Sequence, residues 1–177
     1  LALLHGFGVP PPHYRKLLGE LSKQYEVIAP EMYGLNSRNV SAKTIDEYAE
    51  LTLEFFAALK ISPMHLTGHS IGSYVTFKMT PELSMVKDIV AMNPLLPVEF
   101  GVVGFALRAV YKDLRELFGR AGGLEGVRFG AVIPLPFLLN VLRNPSASIA
   151  AINSVGGADY EGWKVHQRTK MLFGTDD

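Results

Sequence analysis

A chain of 177 residues with 17 Lys and Arg against 17 Asp and Glu carries no formal net charge, so nothing in its balance points to a polyanionic partner and no nucleic-acid binding is expected. Hydrophobic residues make up 48% and charged residues 19%, which excludes a disordered chain and at this length allows one domain with a real core. The absence of cysteine excludes a disulfide scaffold, a thiolate metal site and a cysteine nucleophile.

Leu1 to Leu4 is a continuous apolar run of the kind shown by a strand buried on both faces. No Met, basic segment or signal-peptide pattern opens the chain, so its start reads as cut. The run stops at His5-Gly6-Phe7-Gly8, and Pro10, Pro11 and Pro12 then predict an extended turn before a helical pattern carrying Tyr14, Leu17, Leu18 and Leu21. Tyr25 to Ala29 predicts the next strand, ended by Pro30. After the polar turn of Gly34, Asn36, Ser37 and Asn39, the segment Thr44-Ile45-Asp46-Glu47 has the spacing of a capping box. Ile45, Tyr48, Ala49, Thr52, Phe55, Phe56 and Leu59 follow at helical steps and predict an amphipathic helix. Met64 to Thr67 predicts a strand, Ile71 to Met79 a helix and Val86 to Met92 a strand. This alternation predicts an α/β fold, a parallel sheet covered on both faces.

Beyond Asn93 the rhythm breaks. As far as His166 the sequence is apolar and helix-prone, with Gly and Pro punctuation; Ala106, Val110, Leu114, Leu117 and Phe118 form an apolar stripe. We expect an inserted helical lid over 94–166, between a core over 1–93 and a return to the core over 167–177, where Met171 to Phe173 again predicts a strand. The longest apolar stretches, Phe100 to Leu107 and Ala131 to Val141, fall short of the ~20 residues that span a bilayer, so no transmembrane segment is expected. Arg108, Lys112, Arg115 and Arg120 read first as a solvated helix face and second as a peripheral contact for a membrane surface or an acidic head group.

The strongest chemical signal is Gly68-His69-Ser70-Ile71-Gly72, a G-x-S-x-G pattern between a predicted strand and a predicted helix. A serine hydroxyl needs exposure, rigidity and a base to act as a nucleophile, and a sharp strand-to-helix turn supplies the first two. The second signal is the Gly-rich loop His5-Gly6-Phe7-Gly8 directly after the first strand. A tetrahedral oxyanion needs two donors, for which the candidates are the backbone N–H groups of Phe7 and Ile71. His5 reads as a brace for its loop rather than as a base.

In chain order, Leu3-Leu4-His5-Gly6-Phe7-Gly8, Ala29-Pro30-Glu31-Met32-Tyr33-Gly34-Leu35-Asn36-Ser37, Gly68-His69-Ser70-Ile71-Gly72 and Phe173-Gly174-Thr175-Asp176-Asp177 together resemble the α/β-hydrolase superfamily over nearly the whole length. The departures are Glu31, where the family usually has Asp, and Asn36 and Ser73, where it usually has Gly; they touch packing and turn geometry. The resemblance implies an α/β-hydrolase-type parallel sheet, here lacking the family's first and last strands, with a helical lid that covers the site. It implies catalytic Ser70, the family's G-x-x-D acid at Asp177, and oxyanion donors at Phe7 and Ile71. It also implies a histidine after the acid, which is not among these residues, so the chain resembles an internal fragment. Of the five histidines, His166, at the end of the lid, is the alternative base.

The apolar lid sequence points to a small-molecule ester with an apolar acyl group or a lipid-like substrate, and no metal or organic cofactor is implied. The expected function is a serine hydrolase acting through an acyl-enzyme. The alternative is a non-catalytic ligand-binding or regulatory protein on the same fold. A fragment without its histidine is expected to turn over negligibly by itself.

Overall fold

A computed structural model describes residues 1–32, 44–94, 139, 142–143, 145–156 and 167–173. Asp177 and Asp176, His166 and most of the segment expected to be a lid lie outside the described residues. The elements are β1 (Ala2–Leu4), α1 (Arg15–Leu21), α2 (Ile45–Ala58), β2 (His65–His69), α3 (Ile71–Met79), β3 (Asp88–Met92), α4 (Pro145–Gly156) and β4 (Arg168–Leu172).

The four strands form one sheet in the order β1-β2-β3-β4, and every neighbouring pair is parallel. All three residues of β1 are buried, as a strand covered on both faces requires. The strand expected over Tyr25 to Ala29 narrows to a single bridge in which Ile28 pairs with Ala2 on the free side of β1. There Ile28 N–H donates to Leu1 C=O (2.9 Å) and Leu3 N–H to Ile28 C=O (2.8 Å). The next donor in a parallel ladder would come from residue 30, and Pro30 has no N–H to give.

Proline also overturns the expectation for the first loop. Pro11 to Tyr14 is not an extended turn but a short 3-10 helix that runs directly into α1. A fixed φ near −65° suits the first turn of a helix, where the missing N–H costs nothing. His13 N–H closes that turn on Pro10 C=O at 3.0 Å.

Both halves of the capping box at α2 are made: Glu47 N–H donates to Thr44 Oγ1 (3.2 Å) and Thr44 N–H to Glu47 Oε2 (3.1 Å). The helix buries Ile45, Tyr48, Ala49, Thr52 and Phe56. Phe55 lies at the margin of that stripe and Leu59 beyond the last turn, and they remain 37% and 55% exposed. Helix α3 is buried nearly all round, with only Lys78 reaching outward to Asp46 on α2 (2.7 Å). Such a helix is apolar on every side because it sits between the sheet and a second helix.

Leu4, Leu66, Ile89, Val75 and Phe56 meet in one core cluster, joined by Val155 of α4. Helix α4 docks on the start of α2, where Ile45 N–H donates to Ser154 Oγ at 2.8 Å. Strand β4 is exposed along its whole length. At the N-terminal ends of the strands, Asp88 accepts from Arg168 Nε and lies 3.0 Å from His65 Nδ1, tying the first residues of β2, β3 and β4 together. Among the described residues no helix is long and apolar enough to cross a membrane.

Candidate active site

After β1 the chain passes to the Ile28 bridge on one side of that strand and returns to β2 on the other. The order of strands therefore reverses at β1, and in open α/β sheets ligands bind outside the carboxyl ends of the strands at such a reversal. The residues found there are the loop after β1 and the turn after β2. Register sets them level with each other, because Leu4, the last residue of β1, pairs with Gly68.

Ser70 occupies the bend between β2 and α3 with φ 52° and ψ −121°. This is a conformation that non-glycine residues rarely hold, at a cost of about 1–3 kcal/mol, and it persists where surrounding contacts enforce it. The surroundings do so here. A Cβ at Gly68 would strike Gly72 C=O and approach Ser73 N and Cα at 2.5 Å, and one at Gly72 would strike Leu4 C=O and approach His5 C=O at 2.6 Å. Helix α3 thus begins pressed against both neighbouring strands. Ser73 Oγ donates to Gly68 C=O (2.9 Å) across the bend, and Ser70 N–H donates to Met92 C=O (2.9 Å), which continues the pairing to β3. The Ser70 side chain makes no capping hydrogen bond and is half-buried. Ile71 opens α3, so its N–H belongs to the first turn, whose donors have no acceptor within the helix.

The loop after β1 lies against this bend: a Cβ at Gly6 would stand 3.3 Å from Ser70 Cβ and 2.7 Å from His69 Nδ1. His5 is fully buried. Its Nε2 accepts Met32 N–H (2.9 Å), which leaves the proton on Nδ1 to be donated to Gly6 C=O (2.8 Å). Burial lowers its pKa to about 4, with His69 nearby adding to the effect against a counteracting bond to Gly6. His5 is therefore a neutral brace. Val9 N–H also donates to Gly6 C=O (3.2 Å). In a trans peptide the N–H points opposite to the C=O, so holding this carbonyl also fixes the direction of the Phe7 N–H.

Tyr14 is the residue that sequence reasoning missed. It was expected only as part of a helical apolar pattern, yet its hydroxyl accepts Gly6 N–H (3.1 Å) and lies 2.6 Å from His69 Nδ1. The two rings meet edge to face at 5.7 Å. Burial pushes the Tyr14 pKa up to about 12 and that of His69 down, so both stay neutral. No spacing rule relates a tyrosine to a histidine 55 residues later.

Of the residues singled out from the sequence, Ser70, Ile71 and the loop bearing Phe7 come together, while Asp177 lies outside the described residues. His65 is at the far end of the sheet with Asp88, and His13 is exposed on its turn.

A family model described as the alpha/beta hydrolase family matches residues 1–177. A "Magnesium-chelatase 30 kDa subunit" from Rhodobacter capsulatus is 28% identical over 120 residues, covering 66% of this chain and 42% of that protein. An "(E)-2-((N-methylformamido)methylene)succinate hydrolase" from Acinetobacter baylyi is 28% identical over 98 residues, 52% of this chain and 36% of that protein. The chain thus spans less than half the length of these curated relatives. The enol-lactonase structure from Burkholderia xenovorans superposes with a TM-score of 0.71 at 16% identity, over 98% of this chain and 72% of that one. With a parallel α/β sheet, a strained serine bend at its strand reversal and a family match along its full length, this chain belongs to the α/β-hydrolase family.

Proposed function

We propose that the chain is part of a serine hydrolase that cleaves a small-molecule ester through an acyl-enzyme. The observation that carries this reading is the left-handed backbone of Ser70 at the strand reversal, beside a Gly-rich loop. Strain of this kind is retained where a hydroxyl must stand clear of its own helix. In the reaction Ser70 Oγ attacks the ester carbonyl, a histidine takes its proton, and the Phe7 and Ile71 N–H groups receive the developing oxyanion. Collapse of the tetrahedral intermediate expels the alcohol, protonated by the same histidine, and water then releases the acid. Asp177 would orient that histidine.

Neither His5 nor His69 suits the role of base, since His5 has both ring nitrogens engaged and His69 has its Nδ1 bonded to Tyr14. We assign the base to the histidine that the family resemblance implies after the acid, with His166 as the alternative. An apolar acyl group or a lipid-like ester remains the proposed substrate class, on the composition of the segment 94–166. One curated relative is named as a hydrolase, which supports the hydrolase part of this reading.

The test is labelling of the full-length protein by a fluorophosphonate probe, with ester turnover measured alongside. Ser70→Ala is expected to abolish labelling and to lower kcat by a factor on the order of 10⁴ or more. Labelling that persists in Ser70→Ala, or a wild-type protein that is never labelled, overturns the reading. One observation favours a non-catalytic alternative: the relative matched over 120 residues is named as a magnesium-chelatase subunit. An unlabelled but correctly folded protein would support it.

A further inference from the structure

The proposed donors sit on two separate pieces of chain, the loop after β1 and the start of α3, and an oxyanion site works only if the distance between them is fixed. Tyr14 is the side chain that spans them. Its oxygen accepts the Gly6 N–H at 3.1 Å, and its own proton then has one acceptor in reach among the described residues, His69 Nδ1 at 2.6 Å. The opposite assignment, with His69 Nδ1–H donating to the phenol, would strand the phenolic proton in a part-buried place. The clamp therefore requires His69 as the tautomer protonated at Nε2, with Nδ1 accepting from Tyr14. Gly6 is held on both sides, its N–H by Tyr14 and its C=O by His5 and Val9. The peptide plane that carries the Phe7 N–H is consequently held at its own carbonyl, and the peptide before it is tied to Tyr14.

We propose that Tyr14 is a positioning residue for acyl transfer: its hydroxyl clamps the loop carrying Phe7 to the bend carrying Ser70, and it does so through His69. The catalytic consequence rests on the serine-hydrolase reading given above; the clamp itself does not. Without the hydroxyl, the Gly6 N–H loses its partner and the loop loses its tie to His69; the Gly6 C=O keeps its bonds to His5 and Val9, but the loop as a whole, with the Phe7 donor on it, is set less firmly against Ser70. Misplacement on the scale of 1 Å is enough to slow a positioned reaction severely.

The experiment has two readouts. Nitrogen NMR of the His69 ring in the wild-type protein is expected to show Nδ1 bare and Nε2 protonated; Nδ1 protonation overturns the clamp whatever the activity proves to be. In the full-length protein Tyr14→Phe, which keeps the ring and loses only the hydroxyl, is expected to lower kcat on the order of 10-fold with KM within about twofold, and to lose the single His69 tautomer. A general loss of folding would instead lower the active fraction and leave the tautomer of the folded molecules unchanged. His69→Phe breaks the same clamp from its other end and is expected to reproduce the loss in kcat. Wild-type kcat in either variant overturns the proposal. A wild-type protein that is not labelled at Ser70 would remove the serine-hydrolase reading while the NMR still decides the clamp.

Discussion

At Gly72 the absence of a side chain decides whether α3 can start where it does. A methyl group there would meet the carbonyl oxygens of Leu4 and His5, which are backbone atoms of a buried strand end and its loop and cannot step aside as a flexible side chain would. Gly72→Ala is expected to cost about 3 kcal/mol, the upper end for overpacking, read as a lowered midpoint in urea unfolding. An Ala variant of wild-type stability would show that the helix can shift outward and that the close approach is not required. His5 illustrates the opposite situation, a polar ring retained in the interior because both its nitrogens find backbone partners.

At the scale of an element, α2 shows how local sequence and tertiary packing share the work. Thr44 and Glu47 close the first turn reciprocally, with Asp46 and Glu47 placed at the positive end of the helix dipole. Thr44→Ala is expected to destabilise the fold by about 1 kcal/mol, as measured by thermal or denaturant unfolding; an effect near zero would mean that the bond from Ile45 N–H to Ser154 Oγ suffices to hold that end. Strand β2 and helix α3 form the element that matters for chemistry. Their junction is forced into a left-handed bend by close contacts at both flanking glycines, so the serine is held by packing and not by a capping bond of its own.

For the whole molecule, acid is the revealing perturbation. His5 has a pKa near 4 in the folded state against 6.5 in its absence, so the unfolded chain binds a proton through this interval and the folded one does not. The stability this residue contributes is complete above pH 6.5 and is lost as pH falls towards 4, by roughly 3 kcal/mol in all. His69, lowered by burial as well, acts in the same direction. Asp88, held below the usual carboxylate value by its bond to Arg168, loses its contribution only at more acid pH. Urea midpoints measured from pH 7 to 4 are expected to fall, and His5→Asn to flatten the slope; a slope unchanged in that variant would place the acid sensitivity elsewhere.

Features that arise within a few neighbouring residues are legible in the amino-acid sequence. The buried run ahead of His5, the capping box at Thr44, the amphipathic face of α2 and the small-residue frame around Ser70 are local consequences of side-chain size, polarity and spacing. The prolines of the first loop are ambiguous at that level, because a fixed φ serves an extended turn and a helical first turn equally well and the following backbone decides between them. Other features follow only from the folded arrangement: the strand at Ile28 shrinks to one bridge, the sheet reverses at β1, and Tyr14 reaches His69. Those are contacts between distant parts of the chain. They depend on strand order and register, which no periodicity in a single sequence encodes.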